Sequence, residues 1–158
     1  MNTSILLPAL LILHLAGLTL VAGTTVAEYI TLKTFSALFD KDRERSLSLL
    51  DLLKKLSAFL GIGIALLVLS GIGLFLITKG VFIHQIWFRI KLALILTIIL
   101  NGFIVGGRSE SKLKNSISQN NPEHSGDTKA AILNLKLFYL AQIGLLFLIV
   151  FLSVFKFS

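Results

Sequence analysis

The fold of this chain is decided by residues 57–78, SAFLGIGIALLVLSGIGLFLIT, which contain no charged side chain. A helix crosses the roughly 30 Å hydrocarbon core of a bilayer with about 20 predominantly apolar residues. Within hydrocarbon, backbone amides and carbonyls have to be hydrogen-bonded inside the segment, as they are in a helix. The stretch therefore predicts a transmembrane helix.

Three further stretches of the same character lie around it, at about 5–30, 82–105 and 130–155. The chain is 55% hydrophobic and 15% charged, with a mean hydropathy of +0.89. The alternating ten-residue segments of a membrane β-barrel do not occur in it. Only a few residues around Lys79 separate the second and third stretches, which favours antiparallel neighbours. The sequence predicts an all-α membrane protein, with residues 1–158 forming a single antiparallel bundle of four transmembrane helices.

Basic residues are concentrated beside two of the connections, which predicts the orientation of the chain. The cations there are Lys33, Lys41, Arg43, Arg45, Lys54, Lys55, Arg108, Lys112, Lys114 and Lys129. The opposite side carries Lys79 and Lys156, with Arg89 just inside the third stretch. Loops rich in Lys and Arg stay in the cytoplasm. We therefore expect cytoplasmic loops at about 32–56 and 107–129, both termini outside, and a multi-pass protein of the bacterial inner membrane.

The same clustering explains the net charge of +7 without nucleic acid as a partner. Residues 46–56 have leucines at helical spacing. They predict an interfacial helix that begins near Ser48, has Asp51 in its first turn, and leads into the second span. The predicted partners are membrane lipids, together with a second copy of the chain or another membrane protein.

The composition excludes several kinds of chemistry. Without cysteine, the chain has no disulfide, thiolate metal site, covalently attached haem or iron–sulfur cluster. It has no phosphate-binding glycine loop, His-Glu-x-x-His motif or Ser–His–Asp set in one place.

Two ionisable residues lie within the apolar stretches, His14 in the first and Lys91 in the third. Such residues are costly at membrane depth and usually face a protein interior, a cavity or a cofactor. Each lies about nine residues from the outer end of its span, which corresponds to a depth of roughly 13 Å. We therefore expect the two side chains to be able to meet. His14 also shares a broad helical face with Gly17, Thr24, Thr25 and Glu28.

These residues leave three interpretations open. In the first, His14 is the axial ligand of a b-type haem, Gly17 makes room for the porphyrin, and Lys91 or Arg89 pairs with a propionate. His84 is too close to the outer surface to be a second axial ligand. In the second, a neighbouring hydroxyl or carbonyl holds a structural histidine, while Lys91 extends towards the surface. In the third, the polar face with Glu28 is half of a proton or ion path.

Small residues in the second span indicate close helix packing. Gly61 and Ala65 form a pair at the spacing that lets two membrane helices approach. One arrangement consistent with this pattern is a homodimer in which two copies of the chain pack through a glycine-rich face.

The segments Leu13-His14-Leu15 and Trp87-Phe-Arg-Ile-Lys91-Leu-Ala-Leu94 resemble the HemJ-type protoporphyrinogen oxidase and CopD-like superfamily of small membrane proteins. Asn134 and Lys156 fit that pattern in the fourth span. The resemblance implies a membrane helical bundle with a haem b at His14. Residues 22–29 lack the Trp and Pro-Arg residues of that family, so the resemblance bears on fold and cofactor more than on porphyrinogen oxidation.

The sequence therefore predicts an integral membrane protein that binds b-type haem and acts in membrane redox or porphyrin chemistry. As an enzyme it would be an oxidoreductase that exchanges electrons with a quinone or a partner cytochrome. The alternatives are a cofactor-free structural or accessory subunit and a small transporter or proton-pathway protein.

Overall fold

The computed structural model describes residues 3–39, 41–102 and 125–155, and their regular structure is helical throughout. The elements are α1 (Thr3–Leu38), α2 (Arg43–Ile77), a 3-10 helix (Val81–His84), α3 (Ile86–Asn101) and α4 (Ser125–Val154). The predicted all-α class is confirmed. Most of the predicted loop at 107–129 lies outside the described residues, and its last five residues belong to α4.

The predicted cytoplasmic connection at 32–56 is more helical than expected. α1 continues to Leu38 and α2 begins at Arg43, leaving residues 39–42 between them. Asp42 caps α2: its carboxylate accepts a hydrogen bond from the backbone N–H of Arg45 at 3.2 Å. The lead-in helix is thus continuous with span two, as expected, but it begins five residues before Ser48.

The first helix is longer than a membrane crossing requires. At 36 residues, α1 is about 54 Å long, which exceeds the hydrocarbon thickness.

Glycines bring α1 and α2 together as an antiparallel hairpin. A Cβ added to Gly17 would lie 3.0 Å from the backbone nitrogen of Leu67, and one added to Gly63 would lie 2.8 Å from a methyl group of Val21. The predicted pair Gly61 and Ala65 is exposed instead, and nothing lies within 4 Å of a Cβ on Gly61. Span two therefore uses small residues for packing, as predicted, through Gly63 rather than through the Gly61–Ala65 pair.

The connection between α2 and α3 is a tight turn followed by the 3-10 helix. Gly80 has a φ of +65°, and a Cβ there would also meet the Phe75 ring at 3.1 Å, so glycine is favoured for two reasons. Beyond the turn, α3 packs mainly against α4. The amide of Gln142 donates to the Ile98 carbonyl at 3.2 Å, while no residue of α3 is buried.

The largest core lies where α1, α2 and α4 meet, and we call it the Phe35 end. Phe35 and Leu32 have no exposed surface. The buried members of this cluster are Leu32, Phe35, Leu53, Ala131, Ile132, Leu135, Phe138 and Tyr139.

Elsewhere the helices present apolar side chains outward. Three of them, α1, α2 and α4, are long and apolar enough to cross a membrane. Only 11%, 11% and 28% of their most apolar segments are buried inside the protein, so these surfaces are suited to lipid. The described part of α3 has 16 residues and spans about 24 Å. Residues 103–105 of the predicted third span lie outside the described residues.

Candidate functional site

His14 is bonded to the neighbouring helix rather than directed into lipid. Its Nδ1 lies 2.9 Å from the Ser70 hydroxyl oxygen, which links α1 to α2. Ser70 is buried, with 2% of its surface exposed, whereas the imidazole is half-buried. A hydroxyl on the adjacent helix thus holds this membrane-depth histidine, as the second interpretation of the sequence proposed.

The bonds of Ser70 favour one tautomer of His14. The serine hydroxyl is within donating distance of the Leu66 carbonyl, 2.5 Å away and one helical turn earlier, and of the Leu67 carbonyl at 3.2 Å. When its single proton is used there, Oγ accepts the hydrogen bond from Nδ1–H of His14. In the neutral imidazole the lone pair is then on Nε2. Nε2 is the atom through which His14 can accept a proton or coordinate a metal.

Lys91 is brought to the same region by the aromatic contact between α2 and α3. Phe75 and Phe88 stack with ring centroids 6.3 Å apart, and Lys91 lies three positions further along α3. It is partly buried. We call the group of His14, Ser70, Gly71 and Lys91 the His14 end.

The two glycines nearest to His14 have different surroundings. The space beside Gly17 is filled by α2, with the Gly63 carbonyl 3.2 Å from an added Cβ. In this arrangement Gly17 is a packing residue, and a flat ligand at that point would require the helices to separate. Gly71 borders the imidazole, because a Cβ there would lie 3.5 Å from Cε1 of His14.

The remaining predicted residues are exposed or lie outside the described residues. Arg89 and His84 are exposed. Asn134, which the family pattern places in the fourth span, is exposed as well, and Lys156 lies outside the described residues.

Glu28 belongs to a second polar cluster nearer the Phe35 end. Its carboxylate is 1% exposed and accepts a hydrogen bond from the Ser57 hydroxyl at 3.0 Å. Thr25 bonds back to the Val21 carbonyl at 2.8 Å. Fourteen residues of helix separate Glu28 from His14, a distance of about 21 Å. The polar face of α1 is therefore divided between two sites.

The donor set around His14 restricts what it can bind. The described residues contain no cluster of three or more His, Cys, Asp or Glu side chains suited to a metal ion. His14 alone offers one imidazole nitrogen, so a metal there would have to bring its other ligands with it.

The fold and the apolar surfaces define an integral membrane protein with several membrane-embedded helices. The chain belongs to the family described as "Predicted membrane protein (DUF2214)", whose profile matches residues 8–156. No curated protein and no solved structure matches the chain.

Proposed function

We propose that this membrane protein binds a b-type haem through Nε2 of His14. The observation that carries the proposal is the 2.9 Å contact between Nδ1 of His14 and the Ser70 hydroxyl. With Nδ1–H as the donor of that bond, the Nε2 lone pair is available. Metal-ligating histidines usually donate their other ring N–H to a fixed acceptor, which orients the ring and raises its basicity. Ser70 would hold His14 in this way.

The surrounding residues fit a porphyrin better than a bare metal ion. A haem brings four nitrogens of its own, so a single histidine is a sufficient protein ligand. The Lys91 ammonium would pair with a propionate, and exposed Arg89 is a second cation at the same end of α3. Because no residue of α3 is buried, this helix can adjust around a ligand at little cost in packing.

Haem would give the protein one-electron chemistry, exchanged with a membrane quinone or a partner cytochrome. The protein's part is to hold the iron through His14, to balance propionate charge through Lys91, and to keep water from the ring with apolar neighbours. The resemblance of residues 13–15 and 87–94 to the HemJ-type and CopD-like proteins supports the same proposal.

An absorption spectrum tests it. Protein produced with an adequate haem supply should show a Soret band that shifts on reduction with dithionite. His14→Ala should abolish the band, Lys91→Met should weaken haem retention without removing it, and the control His84→Ala should leave the spectrum unchanged. Ser70→Ala should retain the band with a shifted reduction potential. A band that persists in His14→Ala and disappears in Lys91→Met would contradict the assignment of ligand and anchor.

The His14–Ser70 bond also favours a second candidate, a cofactor-free accessory subunit. In that case the bond joins α1 to α2 and has no chemical role. The protein would be colourless under all haem supplies, and His14→Ala would lower its stability without any spectral change.

The proposed topology has four crossings in a bacterial inner membrane, with both termini outside. It rests on the excess of Lys and Arg in residues 33–55 and 108–129 and on the positive-inside rule. Alkaline phosphatase fused after Ser158 should be active, and the same enzyme fused after Ser116 should be inactive. The opposite pattern would reverse the orientation.

A further inference from the structure

A cavity with two lysines lies beyond the Phe35 end, between the last turns of α1 and the first turns of α4. It has a volume of about 310 Å³ and is lined by Ser36, Phe39, Lys129, Ile132, Leu133 and Lys136. The lining combines apolar walls with two cations, and none of these six residues is acidic. Such a combination is complementary to an anion attached to an apolar group.

One of the two ammonium groups is already positioned. Lys136 donates to the Ser36 hydroxyl at 3.0 Å, which joins α4 to α1 at the mouth of the cavity. An ammonium has three N–H donors, and this bond uses one of them. Lys129 is exposed two turns earlier on α4. Two lysines on one helix face therefore flank the opening.

The depth of the cavity corresponds to the lipid headgroups. On α1, Ile30 is exposed and apolar, whereas Lys33 is exposed and charged, so the edge of the hydrocarbon falls between them. Ser36 lies about 5 Å beyond Lys33 along the helix, a distance that matches the headgroup layer of about 5–7 Å on each side of a bilayer. Leu133 and Leu137, both 58% exposed, continue an apolar surface from the cavity along α4.

We propose that this cavity binds the phosphate headgroup of an anionic phospholipid, with the start of its acyl chains against Leu133 and Leu137. Basic pockets between membrane helices bind such headgroups on the cytoplasmic side, the side to which residues 32–56 are expected to face. The exposed leucines beside the lysines favour a lipid over free phosphate, because a small anion gains nothing from an apolar wall. This inference does not depend on haem at His14.

Binding of dioleoyl phosphatidylglycerol to the full chain in a neutral detergent tests the proposal, with lipid occupancy measured by native mass spectrometry. Dioleoyl phosphatidylcholine is the neutral reference. We expect Lys129→Gln and Lys136→Gln each to weaken phosphatidylglycerol binding about fivefold, and the double variant about 25-fold. Lys79→Gln, which changes an exposed lysine at the far end of α2, should alter it by less than about twofold because the charge is screened at that distance.

Two additional measurements complete the test: a Ser36 variant and a competition with inorganic phosphate. Ser36→Ala removes the bond to Lys136 but keeps both charges, so its effect should be smaller than that of Lys136→Gln. Inorganic phosphate at millimolar concentration should not displace the lipid, and displacement would instead indicate a small-anion site. Equal binding of the two lipids, or equal losses in the cavity and control variants, would overturn the proposal. If Lys136→Gln folds poorly, the effect of Lys129→Gln on phosphatidylglycerol binding is sufficient to test the proposal.

Discussion

The two ends of the protein hold their polar groups in different ways. At the Phe35 end, three helices pack closely around eight buried residues, and the nearby Glu28 is fully enclosed. At the His14 end, α1 and α2 are in close contact, but α3 joins them through one aromatic stack and contributes no buried residue. The imidazole there is only half-buried.

Because of this difference, we expect the stability of the fold and the binding of a ligand to depend on different ends of the protein. Dense packing fixes side chains and leaves little room for a ligand. A loosely packed helix contributes less to stability, but it allows a titratable side chain beside it to contact a ligand. We therefore expect substitutions at the Phe35 end to affect folding most, and substitutions at the His14 end to affect ligand binding with small changes in stability.

The largest effect is expected for Phe35→Ala. This side chain has no exposed surface, and removing a buried phenylalanine ring typically costs about 3–5 kcal/mol. Phe147→Ala is the matched control, since Phe147 is 72% exposed and should face lipid. The free energy of unfolding, measured by denaturant titration in detergent micelles, should fall strongly for the first variant and change little for the second. Similar losses in both would mean that the Phe35 end is not the main source of stability.

The second effect tests the hairpin contact between the two ends. Gly17→Ala places a methyl group 3.0 Å from backbone of α2, where neither partner can move easily, and should cost about 1–3 kcal/mol. Gly23→Ala is the control on the same helix, because a Cβ there meets nothing within 4 Å. That variant should be neutral or slightly stabilising, since alanine favours helix. If the thermal stabilities of the two variants coincide, α1 and α2 do not cross at Gly17.

The apolar pattern was sufficient to predict the helical class and the membrane-spanning character of the chain. It ended the first helix near Ile30 and began the second near Ser48, whereas α1 continues to Leu38 and α2 begins at Arg43. Scattered charges such as Lys33 and Lys41 suggested a loop there. Lys33 lies on the exposed side of α1, whose inner face carries Leu32 and Phe35, while Leu53 is on the inner face of α2. The helical spacing of these apolar residues was a signal of the longer hairpin, but hydropathy averaged over a window conceals it.

The candidate site was predictable in part. Spacing and depth indicated that His14 and Lys91 could meet. Both side chains are partly buried in the structure, but no hydrogen bond between them is described, so their meeting stays a prediction. The bond to Ser70 was not predictable, because it depends on how α2 is rotated against α1. The sequence indicated small residues on more than one face of the second span, and of Gly61 and Gly63 it is Gly63 that lies against α1. A single chain carries little information on such a rotation, because every face of the second span is apolar.

The third prediction concerns the His14–Ser70 bond itself. Ser70→Ala removes a hydrogen bond between two membrane helices, which should cost about 1 kcal/mol. Ser153→Ala is a suitable control, because Ser153 bonds only back to the Ile149 carbonyl among the contacts described for it. A double-mutant cycle with His14→Ala isolates the pair. Additive losses of unfolding free energy would show that the bond does not couple the two helices.

The smallest change in stability is expected for Gln142→Met. This variant tests how firmly α3 is attached, and therefore how far the His14 end differs from the Phe35 end in packing. The Gln142 amide donates to the Ile98 carbonyl, but its own oxygen is buried with no hydrogen-bond partner among the described residues. Loss of the bond and relief of the buried oxygen should offset each other to within about 0.5 kcal/mol.

Local protection from hydrogen exchange should change more than global stability in this variant, because the bond holds the last described turn of α3 to α4. Amide hydrogen exchange should therefore become faster at residues 98–102 and stay unchanged at residues 28–35. Uniformly faster exchange, with a drop in unfolding free energy as large as that of Phe35→Ala, would show that α3 is as firmly packed as the Phe35 end.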